Sequence, residues 1–218
     1  MFTVVIPTMW KPDTFDEQLN SLCCSEYVDE IILINNDKDV TPNFDILNNK
    51  KILHVTPPEN IIVNPSWNLG VYLSNNNNIC LLNDDIIFDT NVFKFMSCHL
   101  DKHICGLNMY SEAEYFELVE IDKRMHGFGC MMFIRKDLYD YIPESIRLFY
   151  GDDYLFISNH LKGGKNYFIE ACCNNQVWGI TSKDGVFSDN DNLVNIIQNE
   201  EIEFKRIINE KSNILHTK

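Results

Sequence analysis

Residues 79–88, Ile79-Cys80-Leu81-Leu82-Asn83-Asp84-Asp85-Ile86-Ile87-Phe88, constrain the fold more than any other stretch. A short continuous apolar run reads as a strand buried on both faces, and such strands belong to sheets covered by helices. Two adjacent carboxylates end this one. Like charges this close raise one another's pKa, and a divalent cation relieves the repulsion. Hard cations such as magnesium and manganese take oxygen ligands, keep several waters and share their site with substrate phosphates. The same residues also fit a plain polar turn after a strand, so the rest of the chain must decide.

Phe2-Thr3-Val4-Val5-Ile6-Pro7 is a β-branched strand stopped by proline. A helix entry follows at Pro12 and Asp13, with Phe15, Leu19 and Leu22 at helical spacing. Ile31 to Ile34 is a second buried strand and ends in Asn35-Asn36-Asp37. Lys51 to Val55 is a third strand, Pro65 to Ser74 a helix, and Asn75 to Asn78 a polar turn with no side chain to bury. Strands alternating with helices predict a mostly parallel sheet, in which ligands bind beyond the carboxyl ends where strand order reverses. The polar clusters after Pro7, Ile34 and Leu82 all lie at carboxyl ends and converge on one crevice. Further on, Asn91–Leu100 reads as a helix and Ile104–Met109 and Glu117–Ile121 as strands. Gly127–Ile134 reads as a strand opened by glycines, which permit close backbone approach to a ligand. Arg135–Tyr141 reads as a short helix, Asp153 onward as another, Asn166–Ala171 as a strand and Leu193–Ile208 as an amphipathic helix on the rim.

At 218 residues, 45% hydrophobic, the chain is expected to form one large domain, or one domain with an appendage, with a packed core. Its net charge of −14 argues against duplex nucleic acid or an anionic membrane surface as partner. A nucleotide needs only one local site and is not excluded. No apolar run approaches a bilayer-spanning length and no signal segment precedes the first strand, so the expectation is a cytoplasmic protein whose eight cysteines are mostly reduced.

Six segments in order resemble family-2-like glycosyltransferases of the GT-A fold, in a small form such as viruses encode. Val5-Ile6-Pro7-Thr8 with Pro12-Asp13-Thr14-Phe15 is similar to the family's opening strand, turn and helix. Ile32-Leu33-Ile34-Asn35-Asn36-Asp37 is similar to its second strand, and Pro65-Ser66-Trp67-Asn68-Leu69-Gly70 resembles its Ala-Arg-Asn-x-Gly segment. Leu82-Asn83-Asp84-Asp85 stands where the family has its DxD motif. Gly129 to Arg135 is similar to the strand under the acceptor site, and Gly151-Asp152-Asp153-Tyr154-Leu155-Phe156 to the element that supplies the base. The resemblance covers about residues 2–182.

The resemblance implies an α/β fold of GT-A (nucleotide-diphospho-sugar transferase) type, a central mostly parallel sheet flanked by helices. It implies a single domain over 1–218, with a nucleotide-binding half at 1–100, an acceptor-binding half at 101–183 and a C-terminal helical tail at 184–218. The partners implied are a nucleotide-sugar donor, UDP-linked by preference, and a glycan or glycoprotein acceptor. Nucleotide contacts carry over to Pro7, Thr8, Asn35, Asp37, Trp67, Asn68, Asn83 and Asp84. Because Asn83 replaces the first Asp of DxD, a divalent metal, manganese or magnesium, rests on Asp85. The family's late His has no counterpart in Val177 to Ser182, where Trp178 stands. Asp153 is the implied base and Asp152 its neighbour or alternative, with inversion expected because one positioned carboxylate suffices for direct displacement.

Blander readings stand beside these. Asp152 and Asp153 also suit a helix N-cap and first turn. Trp10, Tyr110 and His126 can line an acceptor pocket, but core packing is the commoner role of single aromatics. His99 and His103 with Cys98 and Cys105 lack the convergence that zinc demands. A sugar nucleotidyltransferase needs a Gly-rich phosphate loop after strand one, which Thr8-Met9-Trp10-Lys11-Pro12 is not. Asp85 followed by Ile86-Ile87 excludes a DxDxT phosphatase. A non-catalytic carbohydrate- or protein-binding relic of the fold is opposed only by the second acidic pair.

Overall fold

The apolar runs become the inner strands of a single sheet. The structure is a computed structural model that describes residues 1–40, 45–102, 104–170 and 191–216. The elements run β1 (Phe2–Thr8), α1 (Phe15–Cys24), β2 (Val28–Asn35), β3 (Ile52–Val55), α2 (Val63–Leu73), β4 (Asn78–Leu82), α3 (Asn91–Ser97), β5 (Ile104–Leu107), β6 (Glu117–Ile121), β7 (Met131–Arg135), α4 (Gly151–Leu161), β8 (Asn166–Glu170) and α5 (Asp191–His216). Among the described residues the sheet has eight strands in the order β3-β2-β1-β4-β7-β5-β8-β6. Its first four strands are all parallel, β7 runs antiparallel to both β4 and β5, β8 is parallel to β5, and β6 closes the edge antiparallel to β8.

Side chains alternate across β1 because the strand period is two. Phe2, Val4 and Ile6 enter one core layer with Phe15, Leu19 and Leu22 of α1 and Val92, Phe93 and Met96 of α3. Val5 enters the other with Trp67 and Val71 of α2 and Tyr154, Leu155 and Phe156 of α4. The seven-residue α3 is too short to hold in water by itself. Burying each of Val92 and Phe93 contributes about 1.5–3 kcal/mol and holds it in place. Gly70 sits inside α2 because a Cβ there would stand 2.1 Å from Val5 Cγ1, so only glycine lets the helix press on β1.

Several expectations are corrected. The strand expected from Gly127 starts only at Met131. Gly127 is left-handed (φ 82°), which breaks the extended run, and Phe128–Cys130 form a 3-10 turn. Residues 135–141 are not a helix, because Arg135 stays extended and only Lys136–Leu138 make a 3-10 turn. The helix at 91 ends at Ser97, tightened by the Cys98 and His99 N–H groups donating to Phe95 and Met96 carbonyls. Asn75–Asn78 are more than a spacer. Asn75 donates to Glu30, Asn76 to Thr3 and Asp29, Asn77 to Asp137 and Asn78 to the Met1 carbonyl, so the turn is stitched to its surroundings on several sides. Val177 to Ser182, Cys172, Cys173 and most of the Asp-rich stretch at 184–192 lie outside the described residues. Among the described residues no helix is long and apolar enough to cross a membrane, and the six described cysteines are free thiols.

Candidate active site

The chain steps outward through β1, β2 and β3, then returns to the other side of β1 as β4. Strand order reverses between β1 and β4, which is where parallel sheets place their ligands. There the Thr8 hydroxyl donates to Asp84 Oδ2 at 2.7 Å, tying the two strand ends together. Gln18 of α1 donates to the carbonyls of Asn83 and Ile86 at 2.9 and 2.7 Å, which holds the turn that carries Asp84 and Asp85. The Asn83 N–H donates to the Cys130 carbonyl at 2.9 Å and so fixes the turn to the start of β7. Burial pushes the Asp84 carboxyl up to about 6, with the Asp85 charge adding to the rise and the Thr8 bond opposing it. Asp85 is 8% exposed.

The second acidic pair comes to the same end of the sheet. Asp152 and Asp153 lie in the first turn of α4, and Tyr150 at the cap position makes no side-chain capping bond. Arg124, from the loop after β6, donates to Asp152 Oδ2 from Nε at 2.8 Å and stands 2.7 Å away through Nη2. Its Nε is 3.1 Å from Asp153 Oδ1. Asp152 reaches this place because Gly129 has no side chain: a Cβ there would be 2.6 Å from Asp152 Oδ2. The close approach that Gly129 permits is therefore to a carboxylate of the chain itself. The Cys130 thiol is close enough to both pairs to feel a member of each: it is pushed up to about 12 by burial first and then by Asp85 and Asp152.

Burial and the Asp152 charge raise the Asp153 carboxyl to about 6, and Arg124 opposes them. Removing the cation must move it further up, because both raising influences remain. In Arg124→Gln the Asp153 carboxyl, followed by NMR, is expected to titrate above its wild-type midpoint. An unchanged or lower midpoint would show that Arg124 does not set its charge.

The other nucleotide-contact candidates are placed unevenly. Pro7, Thr8 and Asn35 sit buried at the ends of β1 and β2, and Asn35 Oδ1 accepts the Asp37 N–H at 2.9 Å. Trp67 is 4% exposed within the core layer, where its indole N–H meets no hydrogen-bond partner among the described residues. Asn68 accepts from Tyr139 Oη and the Ile142 N–H and donates to the Ile142 carbonyl, which braces residues 139–142. The helical frame of α2 puts Trp67 into core packing and Asn68 into hydrogen bonds with residues 139–142, while Asn36, beside them, links Ser66 and the Ile61 N–H. Tyr110 and His126 lie side by side, ring centroids 6.0 Å apart, against Gly127. Trp10 packs on Phe15 and His54. His99 bonds the Phe95 carbonyl and lies tilted against its ring, and His103 lies outside the described residues.

The donor set suits a hard divalent cation. Asp85 and its neighbour Asp84 offer only oxygen, and no three His, Cys, Asp or Glu side chains converge among the described residues. A magnesium or manganese ion held by one or two carboxylates and completed by substrate phosphates and water needs no more than that. Sequence reasoning missed Arg124. It stands in a polar loop without periodicity, and its partners are distant in the chain.

No protein-family model matches the sequence, and no curated protein matches it. Solved structures do match in shape. Staphylococcus aureus TarS (residues 1–349) in complex with UDP-GlcNAc superposes with a TM-score of 0.63 at 14% identity, over 93% of this chain and 66% of that one. The Pyrobaculum calidifontis mannosyltransferase PcManGT, in complex with GDP-Man and Mn2+, gives 0.58 at 12% identity over 76% and 53%. A nucleotidyl transferase from Methanothermobacter, Mth528, gives 0.52 at 14% over 79% and 88%. The chain spans less than two thirds of the length of the TarS and mannosyltransferase structures. With its eight-stranded sheet flanked by helices, the chain has the GT-A fold.

Proposed function

We propose that the protein is a glycosyltransferase that moves a hexosyl or deoxyhexosyl group from a nucleoside-diphosphate sugar, UDP-linked by preference, to a hydroxyl of a glycan or glycoprotein. The observation that carries this reading is that residues 129–130 bring the two remote acidic pairs together: the Cys130 carbonyl accepts the Asn83 N–H beside Asp84 and Asp85, and Gly129 lies against Asp152. In this reading residues 1–100 hold the nucleotide, 101–183 the acceptor, and 184–218 form a helical tail. Pro7, Thr8, Asn35, Asp37, Asn83 and Asp84 face the nucleotide, with Trp67 and Asn68 supporting them from the core. Asp85 holds the divalent metal, which when bound neutralises charge developing on the departing diphosphate. Asp153 takes the acceptor proton as the new glycosidic bond forms and the nucleoside diphosphate leaves from the opposite face. Asp152, already neutralised by Arg124, holds that cation in place.

The fold is shared with a nucleotidyl transferase, so the choice rests on residues. The turn Thr8-Met9-Trp10-Lys11-Pro12 carries no glycine to cradle a triphosphate. Against a binding relic stand two carboxyls pushed up to about 6, a costly arrangement that clusters at working sites. Calorimetry of UDP with manganese and then with chelator tests the reading, together with donor hydrolysis across a panel of nucleotide sugars. Tighter binding with manganese and release of UDP are expected. Equal affinity under both conditions removes the metal, and pyrophosphate release from a nucleoside triphosphate and a sugar phosphate points to the rival.

A further inference from the structure

We infer that Glu200, on the C-terminal helix α5, is a positioning residue that sets the direction of Asp153 by anchoring the backbone of residues 147–149. The kinetic part of this inference rests on the glycosyltransferase reading, and the structural part stands without it.

The Glu200 carboxylate is 7% exposed and receives three consecutive backbone N–H groups. Oε1 accepts from Arg147 and Leu148 at 3.1 Å, and Oε2 from Leu148 at 3.1 Å and Phe149 at 2.7 Å. A carboxylate is buried at acceptable cost only when its charge is met, and bonds to an ionised acceptor are about twice as strong as neutral ones. The opposite side of the loop is held by Asn64 of α2. Its Nδ2 donates to the carbonyls of Ile146 and Phe149 at 3.1 and 3.0 Å, and its N–H donates to the Arg147 carbonyl at 2.9 Å.

The residues just beyond this loop give the reason it is held from both sides. Tyr150 is left-handed (φ 56°), and its ring stacks on Phe204 of α5 with centroids 5.2 Å apart. Strained backbone of this kind persists only where its surroundings fix it. Gly151 comes next, pressed so closely on Asn64 that a Cβ would stand 2.1 Å from Oδ1. Asp152 and Asp153 come immediately after it. The start of α4, and with it the aim of both carboxylates, is thus defined by Asn64 on one side and Glu200 on the other. Docking of α5 has a separate anchor. Lys211 bonds Asp140, Tyr154 Oη (2.8 Å) and Ser158 Oγ (3.1 Å), none of them in the loop. A residue that merely docked the helix would have no need of three successive amides.

Glu200→Gln keeps the size but turns one acceptor oxygen into a donor that faces an N–H. Misplacement of a reacting group by about 1 Å costs up to about 10²-fold. The variant is expected to lose about 10–10²-fold in kcat at unchanged donor KM. Lys211→Met is expected to lower the melting temperature with kcat unchanged. In an Asp153→Asn background, Glu200→Gln should cost nothing further, because the group it aims is already gone. Wild-type kcat in Glu200→Gln, an equal kcat loss in Lys211→Met, or losses that multiply with Asp153→Asn each overturn the inference. Amide hydrogen exchange tests the clamp without any turnover. Residues 147–149 should exchange about 10²-fold faster in Glu200→Gln while β1 and β4 keep their protection. Unchanged exchange overturns the clamp whatever the chain catalyses. A lost clamp in a chain that transfers no sugar overturns the functional reading alone. Should Glu200→Gln not fold, the wild-type amides decide: protection at 147–149 equal to that of α4 supports the clamp, and exchange at solvent rates overturns it.

Discussion

Replacing Asp153 with Asn is expected to lower turnover by about 10²–10⁴, or about 3–5 kcal/mol of barrier, while nucleotide-sugar binding stays near wild type. The amide keeps the size and polarity of the side chain but takes no proton. The geometry separates Asp153 from Asp152. Both Arg124 contacts at 2.8 Å or less go to one oxygen of Asp152, whereas Asp153 has a single longer contact of 3.1 Å. In the proposed reading Asp153, the less tightly held of the two, is the base. Its carboxyl is raised to about 6. In that reading the active form is deprotonated, so the wild-type rate should fall as pH drops through about 6, and the part of that fall due to Asp153 should be missing in the variant, leaving only a limb from Asp84. Full turnover in Asp153→Asn would make the residue structural. A large loss in Asp152→Asn with Asp153→Asn unharmed would transfer the role. A loss of about 1 kcal/mol in stability with turnover intact would mean that the charge only serves the helix terminus.

Asp85→Ala is expected to abolish the gain in UDP affinity that manganese gives, and to lower turnover by about 10²–10³ if the metal offsets charge in the transition state. Without the metal, the carboxylates of this turn face a diphosphate as like charges. Asp89→Ala is the matched control. Asp89 is exposed, and its carboxylate accepts the Asn91 N–H at 2.9 Å in the turn into α3, so UDP affinity should hold. A manganese effect of the same size in Asp85→Ala and wild type would sink the assignment.

The inner strands and the turn at Asn83 were legible because burial on both faces writes continuous apolar runs that polar residues interrupt only at strand ends. Asp152 and Asp153 were legible only through the resemblance, since two acids opening a helix are common and α1 has the same pattern in Asp16 and Glu17. Their unequal engagement was not, because it depends on Arg124, whose loop at 122–126 has no period to read. Trp67 and Asn68 show how a helix can redirect side chains that a motif singles out. Their segment points to the nucleotide by resemblance, yet the turn of α2 directs the indole into the core and the amide to residues 139–142. Glu200 was hidden among the many acids of an amphipathic helix. Nothing in the local pattern separates it from Glu201 or Glu203, which form exposed pairs with Lys205 and Arg206.

The strand order also dictates a timetable for synthesis. The four parallel strands at one side, β3-β2-β1-β4, are all present once residue 82 has emerged. β6 is different, since among the described residues it pairs only with β8, which arrives after α4 has been made. Until then Glu117–Ile121 is an unmatched ribbon whose Leu118 and Val119 have no sheet to join. Contacts between segments this far apart close slowly, and incomplete edges of this sort attract other chains. The nascent chain therefore passes through a stage in which one half of its sheet can form while the other is still aggregation-prone, and the charges of Glu117 and Glu120 on that ribbon are its protection during the wait.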